Sequence, residues 1–306
     1  YKNGCRHFFL ATFEEAIYIR KKFSKGNLYV LNGLENHNFR DFSKYKIIPI
    51  LASNEELNKF VKEKYHKKKI KIGINIDTGI NRLGIPYKKI NNKLSSKIDV
   101  YILMSHFSSA DELKNLYSEK QNKNFKSVFN SFKSIKYKSL SNSAGIIRNK
   151  NFHYDIIRPG ISLYGGYENK KLKKMLPVNA IVKLKAKILQ IKYINKDEFI
   201  GYNQTYKTKK KTKIAVLGIG YADGIYRILS NNGCVYFKEQ TFKIIGRISM
   251  DSITVDITNS KFKLSYGMYM ELINSKNDIE KIATKCNTIS REILTSISQR
   301  GKRIYI

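Results

Sequence analysis

Six short segments of this chain hold side chains that could move protons or bind anions. They are Asp77-Thr-Gly-Ile-Asn-Arg82-Leu-Gly, Ser105-His106-Phe-Ser-Ser-Ala-Asp-Glu, Asn142-Ser143-Ala-Gly, Arg158-Pro-Gly160-Ile161, Gly220-Tyr221-Ala-Asp-Gly and Gly246-Arg-Ile-Ser-Met250-Asp251. Imidazole and phenol groups can exchange protons, and guanidinium groups hold carboxylates and phosphates through charge-assisted bonds. Small residues at 142–145 and 158–161 let backbone N–H groups approach an anion, and the Ser143 hydroxyl adds a donor. Asn142, Ser143, Gly160 and Ile161 are therefore compatible with a phosphorylated cofactor or substrate. Singly, each segment is weak. Asn142-Ser143 also reads as a helix cap, His106 as a structural histidine, Met250 as core packing and Tyr221 as one of 21 tyrosines.

Each segment falls where a strand hands over to a loop, the usual seat of function. In the first half, strands alternate with helices. Thr12-x-x-Glu15 predicts a capping box opening a helix to about residue 22, and Ser53-x-x-Glu56 predicts another, to about residue 65. Strands are expected at 27–31, 46–51, 71–76 and 99–104, with short ones at 138–140 and 156–157. Pro86 suits the first position of a helix, and 112–134 reads as one long helix. This alternation predicts an α/β chain with a parallel (β/α)8-type barrel, whose chemistry sits at the C-terminal ends of the strands. Near Pro177 the pattern changes. Residues 178–188 alternate apolar with lysine or polar, the period of a half-exposed antiparallel strand. Strands at 213–219, 233–237, 242–248, 253–257 and 268–273 follow, then helices at 278–286 and 290–298. We therefore expect a barrel domain at 1–170 and a mostly β C-terminal domain at 171–306.

With 306 residues there is room for two such domains, and 42% hydrophobic residues fits a soluble protein. No run reaches the roughly 18–20 apolar residues of a membrane span, so no membrane partner is expected. The opening Tyr1-Lys-Asn-Gly-Cys-Arg lacks a signal-peptide core. Three scattered cysteines, Cys5, Cys234 and Cys286, show no zinc spacing and point to a reducing, cytoplasmic compartment. The net charge of +34 could mark a polyanion partner. Its lysines are dispersed, however, with runs only at 67–69 and 209–211, and no nucleic-acid-binding motif accompanies them. Abundant Lys, Ile, Asn and Tyr, with no Trp and only 4 Pro, match an AT-rich genome instead, and no nucleic-acid partner is expected.

In this order, and with this β-rich second half, the six segments resemble alanine racemase, a pyridoxal-phosphate family of the bacterial wall pathway. The resemblance runs from about Gly4 to Ile306 and includes Gly4-Cys-Arg-His-Phe-Phe and Tyr29-Val-Leu-Asn-Gly-Leu. It implies racemisation of L- and D-alanine for peptidoglycan, on pyridoxal 5'-phosphate, by a homodimer with shared active sites. Tyr221 would be one of two bases on opposite faces of the substrate. A phenol ionises near pH 10 in water, so that role needs cationic surroundings. The resemblance places His106 against Tyr221 and Arg158, and Arg158 at the pyridine nitrogen. Arg82 would lie near the cofactor's phenolic oxygen and the substrate carboxylate, while Met250 and Asp251 would come from the partner subunit.

Three positions depart from the family pattern. The family's cofactor lysine stands in a Lys-Ala-x-Ala-Tyr-Gly context that is missing here. It is expected before Tyr1, on a first barrel strand and helix that an N-terminal truncation has removed. Asn75 replaces a modified lysine seven positions before Arg82. Arg291 stands where the family has a tyrosine that donates to the cofactor phosphate. Two other classes stay open. A catalytically inactive fragment or a cofactor-binding regulatory barrel protein has no use for Tyr221 or the β-rich half. A basic binding module predicts salt-sensitive nucleic-acid binding. Among racemases, other small amino acids such as serine remain compatible with these residues.

Overall fold

Local signals build the first unit, Tyr1–Pro159. Strand β1 (His7–Leu10) leads to Thr12, which caps α1 (Phe13–Lys22); the Thr12 hydroxyl accepts the Glu15 N–H and the Glu15 carboxylate accepts the Thr12 N–H, a complete capping box. Then follow β2 (Asn27–Val30), α2 (Phe39–Lys44), β3 (Ile47–Leu51), α3 (Asn54–Lys62), β4 (Gly73–Asp77) and the short β5 (Ile85–Pro86). The unit continues with α4 (Asn92–Ser95), β6 (Asp99–Met104), α5 (Tyr117–Lys126), β7 (Ser134–Ser139) and α6 (Ser143–Arg148). The computed structural model describes residues 1–68 and 70–305, and of Lys170 the backbone.

The sheet runs β1-β2-β3-β4-β6-β7, with β5 beside β4, and all these pairs are parallel. It curls until its ends meet inside: the His7 ring of β1 packs edge-on to Tyr137 of β7 at 5.1 Å. The enclosed core holds Tyr29, Ile48, Ile50, Ile102, Met104 and Ile156. Burying each such side chain contributes about 1.5–3 kcal/mol. On the outside, Phe13 stacks on Phe42 and Phe39 on Phe60, joining helices to the sheet. This parallel barrel-type sheet is the α/β architecture expected from the alternation.

Several elements differ from their sequence signals. Pro86 ends β5 and precedes a 3₁₀ turn at Tyr87–Lys89, so it opens no α-helix; the Ile85 and Pro86 backbones instead pair with Ile76 and Asp77. The helix expected at 112–134 forms only over α5. The Asn115 side chain accepts the Tyr117 N–H and starts the helix late, while β7 claims the chain from Ser134. Residues 156–157 form no strand; Asp155 and Ile156 both donate their N–H to the Lys138 carbonyl. Ser53 caps α3, but the Glu56 carboxylate does not reach back to Ser53. It accepts the Leu34 N–H at 2.8 Å and the Ala52 N–H at 2.7 Å, fastening two loops.

The second unit, Gly160–Ile306, is mostly β, as the period-two pattern predicts. After α7 (Lys170–Met175) come β8 (Leu184–Ile194), β9 (Phe199–Ile200), β10 (Tyr206–Lys207), β11 (Thr212–Leu217), β12 (Cys234–Phe237), β13 (Gln240–Lys243), β14 (Ile253–Asp256) and β15 (Tyr269–Ile273). Helices α8 (Ile279–Cys286) and α9 (Ser290–Ser296) close the unit. The main sheet is antiparallel in the order β13-β12-β15-β8-β11-β14, and β9 and β10 form a separate ribbon. Its core includes Ile188, Leu217, Val235, Val255 and Met270, with α8 and α9 adding Ile282 and Ile293. The strand expected at 242–248 stops at Lys243 because Gly246, at φ +74°, turns the chain into a loop. Among the described residues, no helix is long and apolar enough to cross a membrane.

Candidate active site

In the first unit, the expected site residues stand on loops at the C-terminal ends of parallel strands. Met104 ends β6 and delivers Ser105-His106, Ser139 ends β7 and delivers Asn142-Ser143, and Asp77 ends β4 and opens the Arg82 loop. Arg158 joins the first two. Its guanidinium donates to the Ser139 hydroxyl and to the Ser105 and Leu140 carbonyls, and Nη2 lies 3.4 Å from His106 Nδ1. The guanidinium carbon also sits 5.8 Å from the centre of the Phe9 ring. Desolvation of the head group pushes its pKa down to about 10. Among the described residues, no carboxylate pairs with Arg158; its oxygen partners are neutral acceptors. A desolvated cation held by neutral groups keeps most of its charge available to an electron-rich partner.

Asn142 caps α6 through a 2.9 Å bond from the Gly145 N–H, so the helix-cap reading of this segment holds. The first turn is then Ser143-Ala144-Gly145, all buried. Small size is required there: a Cβ on Gly145 would lie 2.9 Å from the Phe107 ring. The Arg82 loop is stitched from within. Asp77 Oδ1 accepts the Gly79 N–H at 2.8 Å and the Asn81 N–H at 3.1 Å, and the Asn75 amide donates to the Leu83 carbonyl at 2.7 Å. Asn75 thus braces the loop on which Arg82 stands exposed.

In the second unit, Tyr221 and the Met250-Asp251 segment are brought together. The Tyr221 N–H donates to the Ser249 carbonyl and the Ala222 N–H to the Met250 carbonyl, each at 3.0 Å. Tyr221 is 45% exposed and Met250 53%, so both side chains are offered outward rather than used in the core. Asp223 Oδ2 accepts the Gly220 N–H at 2.9 Å and shapes the turn. Arg300 spans the two loops, 2.8 Å from Asp251 and 3.6 Å from Asp223. Arg291, on α9, pairs with Glu168. Ile161 is buried in the core of this unit, next to the exposed Gly160.

These groups can bind a carboxylate, hold a heteroaromatic nitrogen and exchange a proton at a phenol. The donor set also fits pyridoxal 5'-phosphate: a guanidinium without a carboxylate partner suits the ring nitrogen, and a first helical turn of small residues with a serine suits the phosphate. Among the described residues, no cluster of three or more His, Cys, Asp or Glu side chains could hold a metal ion. Motif reading missed Ser105 and Ser139, which fix Arg158, and Arg300, which bridges Asp223 and Asp251. Arg300 sits beside Gly301 near the chain's end with no motif around it. Ser139 could have been flagged as the last residue of a strand that precedes a cap.

Comparison with known proteins covers both units. The family described as "Alanine racemase, N-terminal domain" matches residues 1–168, and "Alanine racemase, C-terminal domain" matches 181–305. The alanine racemase of Rickettsia akari (strain Hartford) is 35% identical over 315 residues, spanning 100% of this chain and 86% of that protein. That of Brucella abortus (strain 2308) is 35% identical over 329 residues, with 100% and 82% covered. Among solved structures, the alanine racemase from Bartonella henselae with covalently bound pyridoxal phosphate superposes with a TM-score of 0.91 at 35% identity, covering 100% of this chain and 86% of that one.

Proposed function

Because the chain belongs to the alanine racemase family of amino-acid racemases, we propose that it interconverts L- and D-alanine by a two-base route on pyridoxal 5'-phosphate. When bound, that cofactor makes the substrate Cα–H acidic by acting as an electron sink. Tyr221 takes or returns the proton at its phenolic oxygen on one face. The base on the other face is a lysine outside these 306 residues, since no lysine here stands in a Lys-Ala-x-Ala-Tyr-Gly context. Arg158 holds the ring nitrogen, and His106 shares hydrogen bonding with the Arg158 guanidinium. With a pKa of about 10, Arg158 keeps its proton at neutral pH in all but about one molecule in a thousand. It therefore leaves the ring nitrogen unprotonated, which tempers the electron sink and disfavours side reactions.

Asn142, Ser143, Gly160 and Ile161 cradle the phosphate, and Arg291 is a further donor to it. Arg82, the Met250 N–H and Asp251 receive the substrate carboxylate and line its entry. Tyr221, Met250 and Asp251 serve the site of a partner subunit in a homodimer. On this reading the barrel domain is 1–170, the β domain is 171–306, and the protein supplies D-alanine for peptidoglycan from the cytoplasm. Three free thiols suit that compartment.

The observation that carries the reading is Arg158, a desolvated cation at the ends of β6 and β7 whose oxygen partners are all neutral. The test is to read the coding DNA upstream of Tyr1, express the whole open reading frame and follow L-alanine with and without pyridoxal 5'-phosphate. Cofactor-dependent formation of D-alanine supports the proposal. A product that carries the lysine, binds the cofactor and forms no D-alanine overturns it.

A further inference from the structure

One side chain of α5 ties together two of the loops described above. Gln121 is fully buried, and both ends of its amide are engaged. The nitrogen donates to the His106 carbonyl at 3.0 Å and to the Thr78 hydroxyl at 3.3 Å. The oxygen accepts the Ser108 N–H at 3.0 Å and the Ser108 hydroxyl at 3.1 Å. The amide's orientation is not arbitrary: a carbonyl can only accept, a backbone N–H can only donate, and both constraints are met at once. Thr78 also shares a 2.8 Å bond with the Ser105 hydroxyl. Gln121 therefore lies between the start of the Arg82 loop and the start of the His106 loop.

Its neighbours on the helix repeat the connection. Asn124 donates to the Thr78 carbonyl and Tyr117 to the Gly79 carbonyl, each at 3.0 Å. Positions 117, 121 and 124 share one helix face by their four- and three-residue spacing. The peptide of His106 is gripped from two sides, since Arg158 takes the Ser105 carbonyl and Gln121 takes the His106 carbonyl. A buried amide costs stability unless all its bonds are made, so filling space alone would favour an apolar residue here. Complete satisfaction across two loops gives one register and penalises others.

We propose that Gln121 is a positioning residue that holds the His106 peptide and the Arg82 loop in a single register. The catalytic consequence rests on the roles given to His106 and Arg82 in the racemase reading; the holding itself does not. The experiment uses full-length, cofactor-loaded protein with Gln121→Met, which keeps the length and removes all four bonds, and Gln121→Glu, which keeps the acceptor and, when ionised, loses both donors. Segment-resolved amide hydrogen exchange is measured alongside kcat and KM for alanine. Gln121→Met is expected to lose protection about tenfold at 77–83 and 105–109, with the second unit unchanged, and to lower kcat/KM by about tenfold or more. Gln121→Glu should lose protection at 77–83 while the Ser108 amide stays protected. Unchanged exchange at both loops in Gln121→Met overturns the proposal. Exchange raised at both loops with kcat and KM unchanged supports the holding role and instead refutes the roles of His106 and Arg82. Should Gln121→Met fail to fold, Ser108→Ala at the exposed end removes one bond. It should raise exchange at 105–109 alone, and no change there overturns the proposal.

Discussion

A methyl group added at Gly220 would stand 2.2 Å from the Met250 carbonyl oxygen and 2.3 Å from that of Ser249. Carbon and oxygen ordinarily approach to about 3.3 Å, so both carbonyls must retreat by about 1 Å. They are also the acceptors of the Ala222 and Tyr221 N–H groups. Gly220→Ala therefore pushes the Tyr221 turn away from the Met250-Asp251 segment. Backbone strain plays no part, because Gly220 is extended at φ −147° and ψ −160°. A misplacement of about 1 Å costs roughly 100-fold in rate, and overpacking of this kind costs about 1–3 kcal/mol of stability. The assay is conversion of each alanine enantiomer by chiral chromatography, with cofactor absorbance and thermal unfolding on the same samples. Gly301→Ala is the control, since a Cβ there meets nothing within 4 Å. We expect kcat/KM down about 100-fold and Tm a few degrees lower for Gly220→Ala, with the control within about twofold. Full activity in a cofactor-loaded Gly220→Ala protein would refute the idea that catalysis depends on how these two loops meet.

Burial pushes the Cys286 thiol up to about 11, so at pH 8 about one molecule in a thousand is thiolate. A thiol reagent should label exposed Cys5 promptly and Cys286 only on unfolding or as the pH nears 11; prompt labelling of folded Cys286 at pH 8 contradicts its burial. Arg291→Ala should weaken pyridoxal 5'-phosphate binding about tenfold, read by cofactor absorbance or fluorescence titration. Unchanged affinity would leave the Glu168 ion pair as the whole role of Arg291. Mixed dimers of a Tyr221→Phe chain and a chain lacking the cofactor lysine should regain up to about a quarter to a half of wild-type activity if Tyr221 serves the partner's site. Verified mixed dimers with no activity would place the site within one chain.

Signals that depend on three or four neighbouring residues were legible in the sequence. Thr12 and Glu15 cap α1 as written, and the alternation of 178–194 became β8, six residues later than its first apolar position suggests. Signals that tertiary partners could override were not. Glu56 has the spacing of a capping box, yet the Leu34 and Ala52 N–H groups, one of them 22 residues away, claim its carboxylate. Pro86 looks like a helix opener until β4 offers it a parallel partner. The site divides the same way. Arg158 beside His106 and Tyr221 beside Met250 were reachable because each stands in a short motif of glycine and polar residues. Gln121, Ser139 and Arg300 were not, because each acts across 15 or more residues of chain and carries no local signature.

The central claim is that Tyr221 moves the Cα proton on one face of the substrate while a lysine outside these residues serves the other. Wash-in of solvent deuterium at Cα tests it most directly. L-alanine and D-alanine are incubated separately in heavy water with cofactor-loaded full-length protein and with its Tyr221→Phe variant, and Cα–H loss is followed by proton NMR. The account predicts that the variant keeps exchanging the Cα–H of one enantiomer and loses exchange of the other by about 100-fold or more. Equal exchange of both enantiomers at the wild-type rate would contradict it.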